Sequence, residues 1–123
     1  MKALTVRQPW AQTIADGLKT VEVRSRPLKY RGELAIHAAA APDPNLCEEA
    51  EGLPLGQVLC VVNVVGCEPL TEAHLAAAYM LGEGWETEGL WAWVLENVRL
   101  VKPVAAKGKL SLWNLPDEQI TYL

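Results

Sequence analysis

Hydrophobic and polar residues alternate along this chain in short runs whose period changes often. Residues 3–7 alternate and predict a first strand. Gln8-Pro9-Trp10 then opens a helix, with Pro9 at the first helical position, where its missing N–H costs nothing. Trp10 and Ile14 share one face of that helix, with Ala11 and Ala15 beside them, and Gly17 is placed to end it. So short a helix is not stable alone, which predicts that Trp10 and Ile14 pack on a sheet. Residues 19–24 predict a second strand, with Val21 and Val23 on one side and Thr20, Glu22 and Arg24 on the other.

Residues 25–32 read as a loop and residues 33–38 as a third strand. Residues 39–52 are less regular, with Asp43-Pro44 as the cap of a short helix that Gly52 ends. Residues 56–67 form the most apolar run and predict a central strand. Residues 71–81 predict a second helix, with Thr71 as N-cap, Glu72 in the first turn and Gly82 as its stop. After a polar, glycine-rich loop, residues 90–98 predict a strand, and residues 99–105 continue extended with Pro103 at an edge or bulge. Residues 110–113 make a last short strand. Short strands with two to three short helices and no steady β-α alternation predict an α+β fold. Its form is a small, mostly antiparallel β-barrel with the helices at its rim, in a single domain over residues 1–123.

Composition narrows the setting. Half the residues are hydrophobic, enough to build a core without disulfides or metal. No apolar run approaches the roughly 20 residues of a membrane helix, and no signal-peptide stretch follows Met1, so a cytoplasmic protein without a membrane partner is expected. Three cysteines, an odd number without a C-x-x-C pair, read as small core hydrophobes. His37 and His74 offer no partners at metal spacing, and no Walker or dinucleotide pattern occurs, so neither metal nor cofactor is expected. Ser25 and Ser111 lack the setting of a nucleophilic serine.

Charge changes the picture more. The net charge is −4, yet residues 1–32 hold seven basic groups against two acidic ones, and the remainder holds four against thirteen. One face suited to an anion, on an otherwise acidic molecule, is the expectation. Within the basic quarter, Glu22 and Arg24 share a strand face and can pair or act together on a ligand. Lys19 has the wrong parity and joins them only if the strand starts after it; desolvated beside an arginine it would serve as a base. Glu96 falls on the apolar side of its strand, opposite Trp91 and Trp93, and is an acid/base candidate with Lys19 or Arg24 as partner. Lys29-Tyr30-Arg31 suits a phosphate and a stacked base, His37 has the parity to face the same cleft or to be a satisfied structural histidine, and Trp91 is a second stacking candidate. Lys107-Gly108-Lys109 is a weaker basic spot.

Taken together, these segments resemble the ASCH domain family, whose barrel is related to the PUA RNA-binding fold. The resemblance lies in Val6-Arg7-Gln8-Pro9-Trp10-Ala11 and in Gly17-x-Lys19-x-x-Glu22-x-Arg24. It continues through Tyr30-Arg31-Gly32, Ile36-His37-Ala38 and Trp93-Val94-Leu95-Glu96-Asn97 to Lys107-Gly108-Lys109 with Leu112-Trp113. It implies a PUA-like barrel with a cleft against the first helix and RNA or a nucleoside-like small molecule as ligand. Arg7, Trp10, Lys19, Glu22 and Arg24 would bind it, joined by Arg26, Tyr30, His37 and Trp91. Some family members look like hydrolases, ribonucleases or amidohydrolases of N4-acylated cytidine, the latter using a lysine, a hydroxyl residue three positions later and a distant glutamate. Lys19 matches that lysine, while Glu22 occupies the hydroxyl position. Binding in a basic cleft is therefore the leading expectation. A metal-independent hydrolase with Lys19 as base and Glu22 or Glu96 as acid is the alternative, and a protein-interaction module the third. Nothing in the sequence sets an oligomeric state.

Overall fold

Alternation in the third strand puts Leu34, Ile36 and Ala38 on one side and Ala35 and His37 on the other, and all five are buried. The sheet is thus covered on both faces. In the computed structural model, which describes residues 1–123, six strands form a single mixed sheet. They are β1 (Lys2–Val6), β2 (Val21–Arg24), β3 (Gly32–Ala38), β4 (Gln57–Pro69), β5 (Trp91–Ala105) and β6 (Leu112–Asn114). Their spatial order is β2-β5-β4-β3-β1-β6. β1 runs parallel to β3, and the other neighbouring pairs are antiparallel.

β2 and β6 are the two edges and do not pair with each other, so the expected barrel is a curled half-barrel. The curl comes from the β4–β5 hairpin, whose register shifts at three points; each extra residue bends the ladder and increases its twist. The two stretches expected at 90–98 and 99–105 fuse into the single strand β5, and Pro103 falls in the irregular stretch between the Leu100 and Val104 pairings. The concave side is filled by the one α-helix, α1 (Trp10–Ala15), through Ala11, Ile14 and Ala15 against Leu34, Ile36, Val62 and Leu95. The opposite face of β1, β3 and β4 is covered by Trp113 and Leu115 from the C-terminal segment. Cys60 lies in the core with its thiol pushed up to about 12 by burial, and no cysteine is paired.

Three expected helical features differ. Pro9 sits one residue before α1, and the buried Gln8 side chain caps the helix by accepting from Gln12 N at 2.8 Å. The helix expected over 71–81 is only a 3-10 turn, Glu72–His74, followed by turns and a left-handed Tyr79. Thr71 does cap it, in a box with His74. The reason it stops is tertiary: the Ala77 carbonyl accepts from Thr20 and Val21, and the Ala78 carbonyl from Lys19, so both serve the second strand. The helix expected after Asp43 is likewise replaced by turns, although Asp43 accepts from Asn45 N as a cap would and also from the Trp10 indole. A second 3-10 turn, Asp117–Gln119, follows β6. No helix is long and apolar enough to cross a membrane.

Candidate ligand-binding cleft

Strand β2 begins at Val21, so Lys19 lies in the turn that leads into it and escapes strand parity. Gly17, at φ +80, permits that turn. Lys19 Nζ consequently lies 3.7 Å from Glu22 Oε1, donates to the Ala78 carbonyl at 2.7 Å and sits 4.8 Å from the centre of the Trp10 ring. Glu22 and Arg24 share a face of β2. Arg24 Nε donates to Glu22 Oε2 at 2.9 Å, and Nη2 lies 2.8 Å from the same oxygen. That Nη2 also donates to the Thr5 carbonyl at 3.0 Å, which ties β2 to β1.

Lys19 is 4% and Glu22 5% exposed. A buried carboxylate is tolerable here because two cations neutralise it. Burial holds the Lys19 amine below its ordinary 10.5; the Glu22 charge and hydrogen bond oppose that shift and the Arg24 charge reinforces it. The triad forms one wall of an open cleft of about 430 Å³. Thr5 and Val6 at the end of β1, Arg7 just beyond it, Trp10 and Ser25 line it, and Asp43, Met80 and Trp85 come in from two loops. Asp43 Oδ2 accepts from Trp10 Nε1 at 3.2 Å and so fixes the indole plane. The cleft thus offers two cations held from one side, an exposed Arg7 and an aromatic wall. Such a set can grip a polar or anionic planar ligand, and a partly desolvated amine can accept a proton.

Of the residues singled out from sequence, Arg7, Trp10, Lys19, Glu22 and Arg24 line this cleft. The others lie outside it. Arg26 is exposed in an adjoining hollow. The Tyr30 hydroxyl donates to the Glu33 carbonyl at 2.6 Å, beyond the cleft lining. Trp91 packs half-buried against the core. Glu96 is exposed beside a smaller hollow of about 80 Å³ that Lys19 also lines, and it makes no ion pair with Lys19 or Arg24. It keeps the expected parity, opposite Trp93 and Leu95, but those two residues carry the main core face, and the face of Ala92 and Val94 opens to solvent by Glu96.

His37 is 1% exposed and lies on the far face of β3. Its Nε2–H donates to the Ala106 carbonyl at 2.6 Å. That bond fixes the tautomer, so Nδ1 accepts from the Thr5 hydroxyl at 3.2 Å, which in turn accepts from Trp113 Nε1 at 3.1 Å. This is a satisfied structural histidine. Sequence reasoning missed Asp43, Met80 and Trp85. Asp43 carried a signal as a capping residue, and Trp85 as the one aromatic in a glycine-rich loop.

The structure gathers no cluster of three or more His, Cys, Asp or Glu side chains that would hold a metal ion. A curled, mixed six-stranded half-barrel with one short helix in its concave side, and a lysine–glutamate–arginine cleft at the end of β1, defines the class of domain. The ASCH domain model matches residues 4–105, and the chain belongs to that family, which is associated with RNA binding. The fold is similar to the crystal structure of ASCH from Zymomonas mobilis, at 17% identity and TM-score 0.68 over 96% of this chain and 89% of that one. A tyrosine-to-phenylalanine mutant of the Zymomonas mobilis protein matches at 16% identity and TM-score 0.61, covering 96% and 91% of the two chains. A serine-to-alanine mutant matches at 16% and 0.64, covering 96% and 89%. No curated protein matches the sequence.

Proposed function

We propose that the chain binds RNA, or a nucleoside-like part of it, with one nucleotide entering the cleft between β1, β2 and α1. The observation that carries this reading is the Lys19–Glu22–Arg24 triad, its lysine and glutamate buried, opening onto a cavity walled by Trp10. The volume, about 430 Å³, is in the range of small-molecule sites, about 300–1,000 Å³. In this reading Trp10 or Trp85 packs against the base, Arg7 and Arg24 meet the anionic or polar edge, and Glu22 orients both cations. Lys19 and Arg24 together neutralise Glu22, so removing both would strand a buried charge. The test therefore uses Lys19→Met and, separately, the exposed Arg7→Ala. In calorimetric titration with the four ribonucleoside 5′-monophosphates, each variant should weaken binding by about tenfold or more, the worth of one charged hydrogen bond. Unchanged affinity in both would end the proposal.

A second reading, a metal-independent hydrolase with Lys19 as proton acceptor, is favoured by one observation: burial keeps that amine below its ordinary value. Glu22 would then hold the ammonium formed after proton transfer. Acylated cytidines and short RNAs incubated with chelator would be turned over by the native protein and not by Lys19→Met. No turnover on any of them removes the enzyme reading and leaves binding.

A further inference from the structure

The half-barrel leaves a seam between its two edge strands, and the seam is hollow. A cavity of about 320 Å³ draws on both ends of the strand order. Arg24 of β2 and Trp93 of its neighbour β5 line it from one end, and Leu112 of β6 and Leu4 of its neighbour β1 from the other. Leu4 is 1% and Trp93 6% exposed, and both belong to the main core, so the floor is apolar. The loop after β2 completes the wall and is held in place. The Arg26 carbonyl accepts from Trp93 Nε1 at 3.0 Å, and Leu28 N donates to Cys67 Sγ at 3.3 Å.

The outer edge of β6 is open. The N-terminal amine of Met1 donates to the Leu115 carbonyl at 2.9 Å, and Leu115 N donates to the Met1 carbonyl at 2.8 Å. Bonded positions alternate along an antiparallel pair, so the next bonded pair is Ala3 with Trp113. Leu112 and Asn114 therefore turn their N–H and C=O groups away from β1. No backbone hydrogen bond outside the ladder reaches either residue. Proteins commonly blunt such an edge with charge or proline, and β6 carries neither. Leu110, just before it, is 94% exposed.

Charge points to what fits there. No carboxylate lines the hollow, although the chain carries 15 acidic residues. Arg26 on its rim is exposed and belongs to none of the ion pairs in the molecule. From this arrangement we infer that the seam is a docking site for an extended segment of a partner protein, which adds to β6 as a further strand. Its backbone pairs with Leu112 and Asn114. One apolar side chain enters the hollow over Leu4 and Trp93, and an acidic side chain two positions away, on the same face, meets Arg26. Strand addition takes its affinity from main-chain hydrogen bonds and its specificity from pockets for alternate side chains. The site is independent of the nucleotide reading of the cleft.

The experiment is a nitrogen-15 NMR titration of the full chain with a capped heptapeptide of threonines, leucine at its centre and glutamate two positions to either side. At millimolar peptide the amides of Arg26, Leu28 and Leu110 to Asn114 should shift, while those of Arg7 and Trp10 in the cleft stay in place. A peptide with lysine for glutamate, and the native peptide on Arg26→Glu, should each bind about tenfold more weakly, the worth of one charged hydrogen bond. A fully N-methylated peptide should not bind, because it has no donors for the edge. Asn114→Pro should weaken binding by a similar factor with an unchanged melting temperature, since the N–H it removes faces away from β1. No shift with the glutamate peptide, or equal binding of its N-methylated or lysine form, would overturn the inference. A short single-stranded RNA that shifts the same amides would assign the seam to nucleic acid, and shifts that follow protein concentration alone would assign it to a second copy. Either result would overturn a peptide partner.

Discussion

Strand β1 separates two buried polar clusters that share one residue. On its cleft side the Thr5 carbonyl accepts from Arg24, which pairs with Glu22 and, through it, with Lys19. On its other side the Thr5 hydroxyl links Trp113 to His37, and His37 reaches Ala106. Both clusters are polar and enclosed, and both were candidate chemistry in the sequence. The difference is in what they leave open. In the His37 cluster both ring nitrogens, the Thr5 hydroxyl and the indole N–H each have a partner, and none carries a fixed charge. In the triad, charge is concentrated against a cavity, and the arginine keeps part of its side chain in that cavity, 32% exposed. Burial of a polar group therefore marks a site only when the group also faces space.

The comparison can be broken in three places. The largest effect is expected from Glu22→Ala. It leaves the buried Lys19 without a counter-charge and should cost about 3 kcal/mol of stability in urea unfolding, as removal of one member of a buried pair does. A loss below about 1 kcal/mol, the worth of an exposed pair, would show the triad to be solvated. Next, His37→Phe strips donors and acceptors from Ala106 and Thr5 and should cost about 1–3 kcal/mol, with nucleotide affinity unchanged. If instead affinity fell, the two clusters would be coupled through Thr5 and would act as one.

The smallest effect is a pH dependence. The folded protein holds Lys19 below its ordinary 10.5, so between that lowered value and 10.5 the unfolded chain binds more protons. Stability attributable to Lys19 should therefore rise with pH through that window and level off above it. Below the window the buried ammonium carries its full desolvation cost. The difference in unfolding free energy between native protein and Lys19→Met, measured across the alkaline range, should show that rise. A flat difference would mean the amine is not desolvated.

Much of this was legible in the chain. Period-two alternation located β1 and β2, the longest apolar run located β4, and the spacing of Lys19, Glu22 and Arg24 brought out the triad from sequence alone. What escaped has common causes. Parity along β5 held through Glu96, but both faces of that stretch are apolar in sequence, and the main core took the Trp93 and Leu95 face while the other opened to solvent. The 71–81 stretch has helical composition, yet its carbonyls at Ala77 and Ala78 are claimed by residues more than fifty positions earlier. The open sheet edge went unforeseen because closure depends on strand number, tilt and stagger, which no local pattern in the sequence records.

The strand order also bears on how the chain acquires its native state. β3, β4 and β5 pair in succession, each with the next strand in the chain, while β1 must find β6 from the opposite end of the chain and β2 must find β5. Pairings between distant segments demand loop closure before they return any stabilisation, and they slow the search. The cleft draws on residues from Thr5 to Trp85 that meet only after those distant strands have joined. The cleft is therefore expected to be the last feature to form as the protein folds and the first to be lost when it begins to open.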